Sequence, residues 1–144
     1  MKSILSLILG TFLLGFISNE SLGQGQETKI TRNYNFEVGD ILSSSTGTIT
    51  GELRKAESGD DEIVGVFMGL NSNLRSDVVR SEGVVEVNVP SKDGDIKRGD
   101  LLAVVGDGHA GKMNGDGMSI GIALSEPVNG KVKVRLDIAF IASK

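Results

Sequence analysis

Val128-Asn129-Gly130-Lys131-Val132-Lys133-Val134-Arg135-Leu136-Asp137 (residues 128–137) decides the fold class. From Lys131 onward, Val132, Val134 and Leu136 fall on one side of the chain, and Lys131, Lys133, Arg135 and Asp137 on the other. A two-residue period of this kind is what a half-buried strand requires. Asn129-Gly130 stands in front of it as a two-residue hairpin signal, because both residue types accept the positive φ of a type I′ turn. Upstream, Val84, Val85, Val87 and Val89 lie in a β-branched run closed by Pro90. The 20 glycines weaken helices and suit turns and bulges. Only Ser72 to Arg80 could form a helical turn. The expected class is all-β, a small barrel-like or β-clip-like domain.

A repeat organises the strands. Phe36-Glu37-Val38-Gly39-Asp40-Ile41-Leu42 is followed later by Ile96-Lys97-Arg98-Gly99-Asp100-Leu101-Leu102. Each copy then reaches an apolar run centred on glycine, Ile63-Val64-Gly65-Val66-Phe67 and Ser119-Ile120-Gly121-Ile122-Ala123. Glycine before aspartate suits a strained corner, with the carboxylate accepting hydrogen bonds from nearby backbone N–H groups. The glycines inside the later strands predict a bulge or a close backbone crossing. Gly39, Asp40, Gly99, Asp100, Gly65 and Gly121 are therefore read as structural turn residues, in pseudo-repeats over about 36–69 and 96–125. Neither unit can bury a face alone, so the two should close on one core.

The N-terminus has a different character. Lys2 precedes an apolar stretch, Ile4 to Ile17, and Ser21 and Gly23 sit at −3 and −1 to a cut before Gln24. This is the order of a secretory signal peptide, and about 14 apolar residues fall short of a membrane-crossing helix. Residues 1–23 are read as a cleaved signal, 24–33 as a polar flexible linker, and 34–144 as one domain. The expected location is secreted or periplasmic, with no membrane association after cleavage. With no cysteine, there is neither a disulfide nor a lipid-modified Cys. A net charge of −4 spread without a basic face, and 4% aromatic residues, give nucleic acid no surface to bind.

The stretch Gly94 to Leu136 resembles a β domain found in many bacterial and phage surface or fibre proteins. Ile96, Gly99 to Leu102, Gly108-His109-Ala110, Gly121-Ile122-Ala123-Leu124, Gly130 and Val132 to Val134 carry the likeness. Gly39 to Leu42 and Ile63 to Val66 are similar to the same family's opening, and Val84 to Val89 to its central valine strand. The resemblance covers residues 36–136. It implies a structural module attached to fibrous or repeat-bearing proteins, some relatives being autoproteolytic intramolecular chaperones of phage tails.

Several motifs have plainer readings than their spelling suggests. Gly106 to Lys112 matches the start of a phosphate-binding loop, but Met113 stands where Ser or Thr is needed, and Asn114-Gly115 turns the chain. Arg98-Gly99-Asp100 spells an adhesion tripeptide yet belongs to the repeated corner. His109 is the only histidine, and no signature places Ser119 or Asp107 beside it. The acidic groups Asp60-Asp61-Glu62, Asp93 with Asp95, and Asp107 with Asp116 lack the alternating ligand pattern of a calcium loop. No catalytic residue, cofactor or metal is expected. The functional expectation is an exported, non-catalytic structural or interaction domain, partnered by copies of itself or by a surface or fibre protein. A self-cleaving processing module and a small-ligand or carbohydrate binder are the alternatives.

Overall fold

The computed structural model describes residues 27–30, 35–46, 51–73, 76–91 and 95–142. The expected signal peptide lies outside them. Among the described residues there is no helix, and thus none long and apolar enough to cross a membrane. Among the described residues ten strands run in order: β1 Glu27–Ile30, β2 Ile41–Ser44, β3 Leu53–Lys55, β4 Ile63–Asn71, β5 Ser76–Arg80, β6 Gly83–Asn88, β7 Leu101–Gly106, β8 His109–Lys112, β9 Gly117–Ala123 and β10 Lys131–Ile141. They form two antiparallel five-stranded sheets, ordered β1-β5-β4-β2-β3 and β6-β10-β9-β7-β8.

The alternation at 131–137 becomes β10, with Val132, Val134 and Leu136 buried and Lys133, Arg135 and Asp137 exposed. Asn129 and Gly130 have φ of 54° and 76°, the two positive values of a type I′ turn. Val128 and Lys131 exchange both backbone hydrogen bonds across it, at 2.8 and 3.1 Å. Within Ser72 to Arg80, the one stretch with helical potential, Ser76–Arg80 is strand β5, paired with β4 and β1.

The two sheets are copies of one plan. In the first, Ile41 faces Val66 and Leu42 faces Gly65; in the second, Leu101 faces Ile122 and Leu102 faces Gly121. Val66 opposite Arg80 and Phe67 opposite Val79 match Ile122 opposite Arg135 and Ala123 opposite Val134. Thr28 opposite Val79 matches Val85 opposite Val134. The duplication therefore takes in all five strands, further than the repeat legible as 36–69 and 96–125. Within the stretch 24–33 read as a linker, Glu27–Ile30 is a strand that pairs along β5 as the counterpart of β6.

The barrel-like expectation is corrected too. β1 and β3 bound one sheet and β6 and β8 the other, and no ladder closes either among the described residues. A corner of the first half stands where closure of the second sheet would occur. The β6 residue Asn88 donates its N–H to Gly39 O at 2.9 Å, while Ile41 donates to Gly108 O, at the β7–β8 turn, at 2.8 Å. Val85, Val87, Leu102, Val104, Ala110, Ile120, Val132 and Val134 line this curled sheet, and Ile41, Ala56, Ile63 and Val66 of the first half complete the same core. A smaller cluster, Leu42, Leu53, Phe67 and Val79, with Phe36 and Val64 against it, fills the first sheet.

Both central glycines are bulged, the pairing shifting between Leu42 and Ser43 opposite Gly65 and between Ser119 and Gly121. Their φ values are +152° and +144°, and an added Cβ would stand 2.5 Å from Arg80 O and 2.0 Å from Arg135 O. Gly121→Ala is expected to cost about 3 kcal/mol, since both dihedral and contact must yield. Gly115→Ala, with positive φ but open space, should cost only about 1 kcal/mol. Urea denaturation of the two variants checks the difference.

Candidate functional site

The polar groups of most structural consequence lie at the two Gly-Asp corners. Gly39 and Gly99 take φ of +98° and +95°, which frees the next residue to fold back. Asp40 Oδ2 accepts from Glu37 N at 2.9 Å, and Asp100 Oδ2 from Lys97 N at 2.8 Å. Gly39 N donates to Phe67 O and Phe67 N to Asp40 O, both at 2.8 Å. In the second half, Gly99 N donates to Ala123 O and Ala123 N to Asp100 O, at 2.8 and 2.9 Å. Even the cations match: Lys55 Nζ lies 3.7 Å from Asp40 Oδ2, and Lys112 Nζ 3.8 Å from Asp100 Oδ2. Of the six residues read from sequence as turn residues, Gly39, Asp40, Gly99 and Asp100 form these corners, and Gly65 and Gly121 lie at the two shifts in strand pairing.

The corners differ in their surroundings. The Asp40 side chain is 2% exposed and Asp100 is 21% exposed, because the second half encloses only the first corner. Asn88 Nδ2 donates to Asp40 Oδ1 at 3.0 Å and to Val38 O at 3.1 Å. Lys131 Nζ donates to Asn88 Oδ1 and, at 2.9 Å, to Val38 O. From the other side comes the β7–β8 turn, where Gly108 N donates to Ala56 O at 2.8 Å. A Cβ on Gly108 would sit 3.3 Å from Asp40 Cβ and from Ile41 O. Only glycine lets this turn approach so closely. Asn88 carried no sequence signal, because an asparagine ending a valine strand looks like any strand terminus.

The remaining candidates occupy strands and turns of the fold. His109 is half-buried at the start of β8, beside the turn. Ser119 Oγ is buried, donates to Leu102 O at 3.1 Å and accepts from Gly121 N at 3.1 Å, so it braces the bulge. Asp107, at φ 52°, lies 3.7 Å from Lys55 Nζ. Lys112 is on a strand, not on a phosphate-cradling helix. Arg98 and Gly99 are exposed, with Asp100 turned back onto Lys97.

Of the acidic groups, Asp60 is held by one cation, Arg54, and by two further donors of its own chain. Arg54 grips it with two bonds, Nη1 to Oδ2 at 2.7 Å and Nη2 to Oδ1 at 3.2 Å. Ser43 Oγ and Glu57 N each donate to Oδ2 at 2.8 Å. These bonds, that from Arg54 first, lower its pKa to about 2. Among the described residues no three acidic or histidine side chains gather in a metal-binding group. A shallow cleft of about 250 Å³ runs between Ser58-Gly59-Asp60 of one half and Lys112, Asn114 and Asp116 of the other. It is smaller than the roughly 300–1,000 Å³ usual for small-molecule sites.

No protein-family model matches the chain, and no curated protein matches it at a significant level. The molecule is thus defined by its fold: an all-β domain of two duplicated five-stranded sheets, one corner enclosed by the other half.

Two outcomes follow from the corners and the Asp60 clamp. Asp40→Ala should cost about 3 kcal/mol, because it strands buried donors from both halves, and Asp100→Ala about 1 kcal/mol. Equilibrium unfolding of the two variants measures the gap. Asp60 titrates below its unfolded value of about 4, so its ionised form adds stability above that pH, lost as pH falls towards 2. The deficit of Asp60→Asn relative to the parent should therefore shrink by about 1–2 kcal/mol between pH 7 and pH 2, Arg54 being half-exposed. Urea midpoints at the two pH values read it directly.

Proposed function

We propose that this chain is an exported, non-catalytic β module with a structural or interaction role, which associates with copies of itself. One observation carries the reading: each half of the molecule is already a protein-binding element for the other. Asn88 and the Gly108 turn of the second half hold the Asp40 corner of the first through backbone and side-chain bonds. A fold whose halves recognise each other in this way has surfaces suited to assembly. The buried polar side chains Asp40, Asn88, Ser43 and Ser119 all hold neighbouring chain segments together.

Export rests on the charged, apolar and small-residue order of residues 1–23. The likeness to surface and fibre domains favours the structural role over a soluble ligand carrier.

Expression in a bacterial host with the natural N-terminus should yield an exported product beginning at Gln24, stable in intact mass for days. Further loss within residues 24–144 would replace the non-catalytic reading with self-cleavage. Light scattering on the purified protein should give a mass that rises with concentration. A constant monomer mass up to about 1 mM would remove self-association, since weaker contacts than that are not specific assembly.

A further inference from the structure

Asn-Gly occurs twice in the chain, at Asn114-Gly115 and Asn129-Gly130, and the fold holds the two pairs differently. Such a pair is reactive because glycine has no side chain to shield its own N–H. That nitrogen can turn onto the amide carbon of the preceding asparagine and close a five-membered ring, which makes asparagine one of the thermolabile residues. The ring closes only if the chain rotates between asparagine and glycine. Bonds that fix the turn therefore oppose it.

Asn129-Gly130 is fixed. It is the two-residue loop of a type I′ hairpin, at φ of 54° and 76°. Val128 and Lys131 are bonded to each other in both directions across it, and Gly130 O accepts from Val89 N at 2.9 Å. Each such bond shifts the balance between closed and open turn by a factor of about 5.

Asn114-Gly115 is held by nothing comparable. Both residues are exposed, in the connection between β8 and β9. Among the described residues neither takes part in a hydrogen bond, and on the N-terminal side the backbone is secured only as far as Met113, whose N–H donates to Leu101 O at 2.9 Å. Gly115 has φ of +79°, and nothing lies within 4 Å of where a Cβ would stand. Asn114 lines the shallow cleft between the halves, together with Asp60, Lys112 and Asp116.

We propose that Asn114 is a site of spontaneous modification, converted to an aspartyl or isoaspartyl residue, while Asn129 is protected by its turn. In the first step Gly115 N bonds to Asn114 Cγ, the Cγ–Nδ2 bond breaks, and ammonia leaves with the proton from Gly115 N. Water then opens the imide on one side or the other of that nitrogen and leaves a carboxylate. The formal net charge of −4 becomes one unit more negative, and the new charge stands at the seam between the two halves. The isoaspartyl product adds one carbon to the backbone of a connection with open space around it, so the ladders of both sheets remain. The same insertion at residue 129 would break the hairpin that starts β10.

The test is to keep the folded protein for weeks in mildly alkaline buffer and follow both asparagines by mass spectrometry. They fall in one tryptic peptide, Met113 to Lys131, whose fragmentation assigns the mass gain of exchanging NH for O to one or the other. Asn114 should convert about 10-fold faster than Asn129 in the folded protein, the two bonds across the turn supplying the difference. In concentrated urea the two should convert at similar rates. Gly115→Ala, which shields the attacking nitrogen, and Asn114→Gln, which needs a larger ring, should each suppress the acidic species that isoelectric focusing resolves in the parent. Equal rates at the two sites in the folded protein, or faster conversion at Asn129, overturn the proposal. So does an Asn114 that survives in the folded protein while converting in urea.

Discussion

A carboxylate removed from water is tolerated only where donors and counter-charges replace its hydration, and Asp40 has two donors and one ion-pair partner, from three places. Glu37 N–H belongs to its own turn, Lys55 to a neighbouring strand, and Asn88 to the other half of the molecule. Burying such a group without partners costs several kcal/mol, and removing one partner leaves the rest uncompensated. The corner is therefore stable inside the molecule only when the second half is already folded around it. Asn88 is itself held by Lys131 at the start of β10. Through these few bonds the strand that anchors the second sheet senses the corner that opens the first. Among the described residues the two sheets share no ladder, so this polar junction and the core beneath it make one cooperative unit of them.

The same corner chemistry without enclosure stands at Asp100, which shows what is intrinsic to the motif. The glycine at positive φ, the carboxylate capping its own turn and the lysine across the hairpin are present in both copies. They form locally, whatever packs outside. Enclosure is what differs, and it follows from the hairpin that faces the corner. The short β7–β8 turn ends in Gly106-Asp107-Gly108, and Gly108 reaches the backbone of Ile41 and Ala56 because it has no side chain. A duplicated unit has in this way become a partner for its own copy. The large core, to which both halves contribute, is the product of that capture, and the small cluster around Phe67 is what the first sheet retains for itself.

Local patterns were legible in the sequence. The alternation in β10, the Asn129-Gly130 turn, the Gly-Asp corners and the bulged glycines each follow from dihedral preference and a two-residue period. They involve residues within a few positions of one another. What escaped was set at long range. β1 has no apolar period in Glu27-Thr28-Lys29-Ile30, and it is a strand because β5 offers it an edge, with Glu27 bound to Arg80. β5 itself reads ambiguously until β4 pairs with it. Asn88 became part of the junction because the chain brings it against residue 40, and no local rule marks it. Sheet closure was misjudged for a related reason. Period and turn signals fix which residues face inward, but not whether the outer strands meet each other or meet a corner from elsewhere.

The outer edges bear on how such a molecule meets its neighbours. Unpaired strand edges invite further strands unless they are short, charged or covered. β3 spans three residues and includes Arg54 and Lys55, and β1 spans four and includes Glu27 and Lys29. The β6 edge is engaged at Asn88 by the Gly39 corner. These edges therefore resist open-ended strand addition. The apolar surface left in the second half lies instead on a sheet face, where Leu101 and Ile122 stand side by side. Face contact selects partners by shape and by the spacing of side chains, whereas edge contact accepts almost any extended chain. In a chain without cysteine, that difference separates selective contact from open-ended aggregation, and the duplicated fold places the exposed Leu101–Ile122 pair on the selective side.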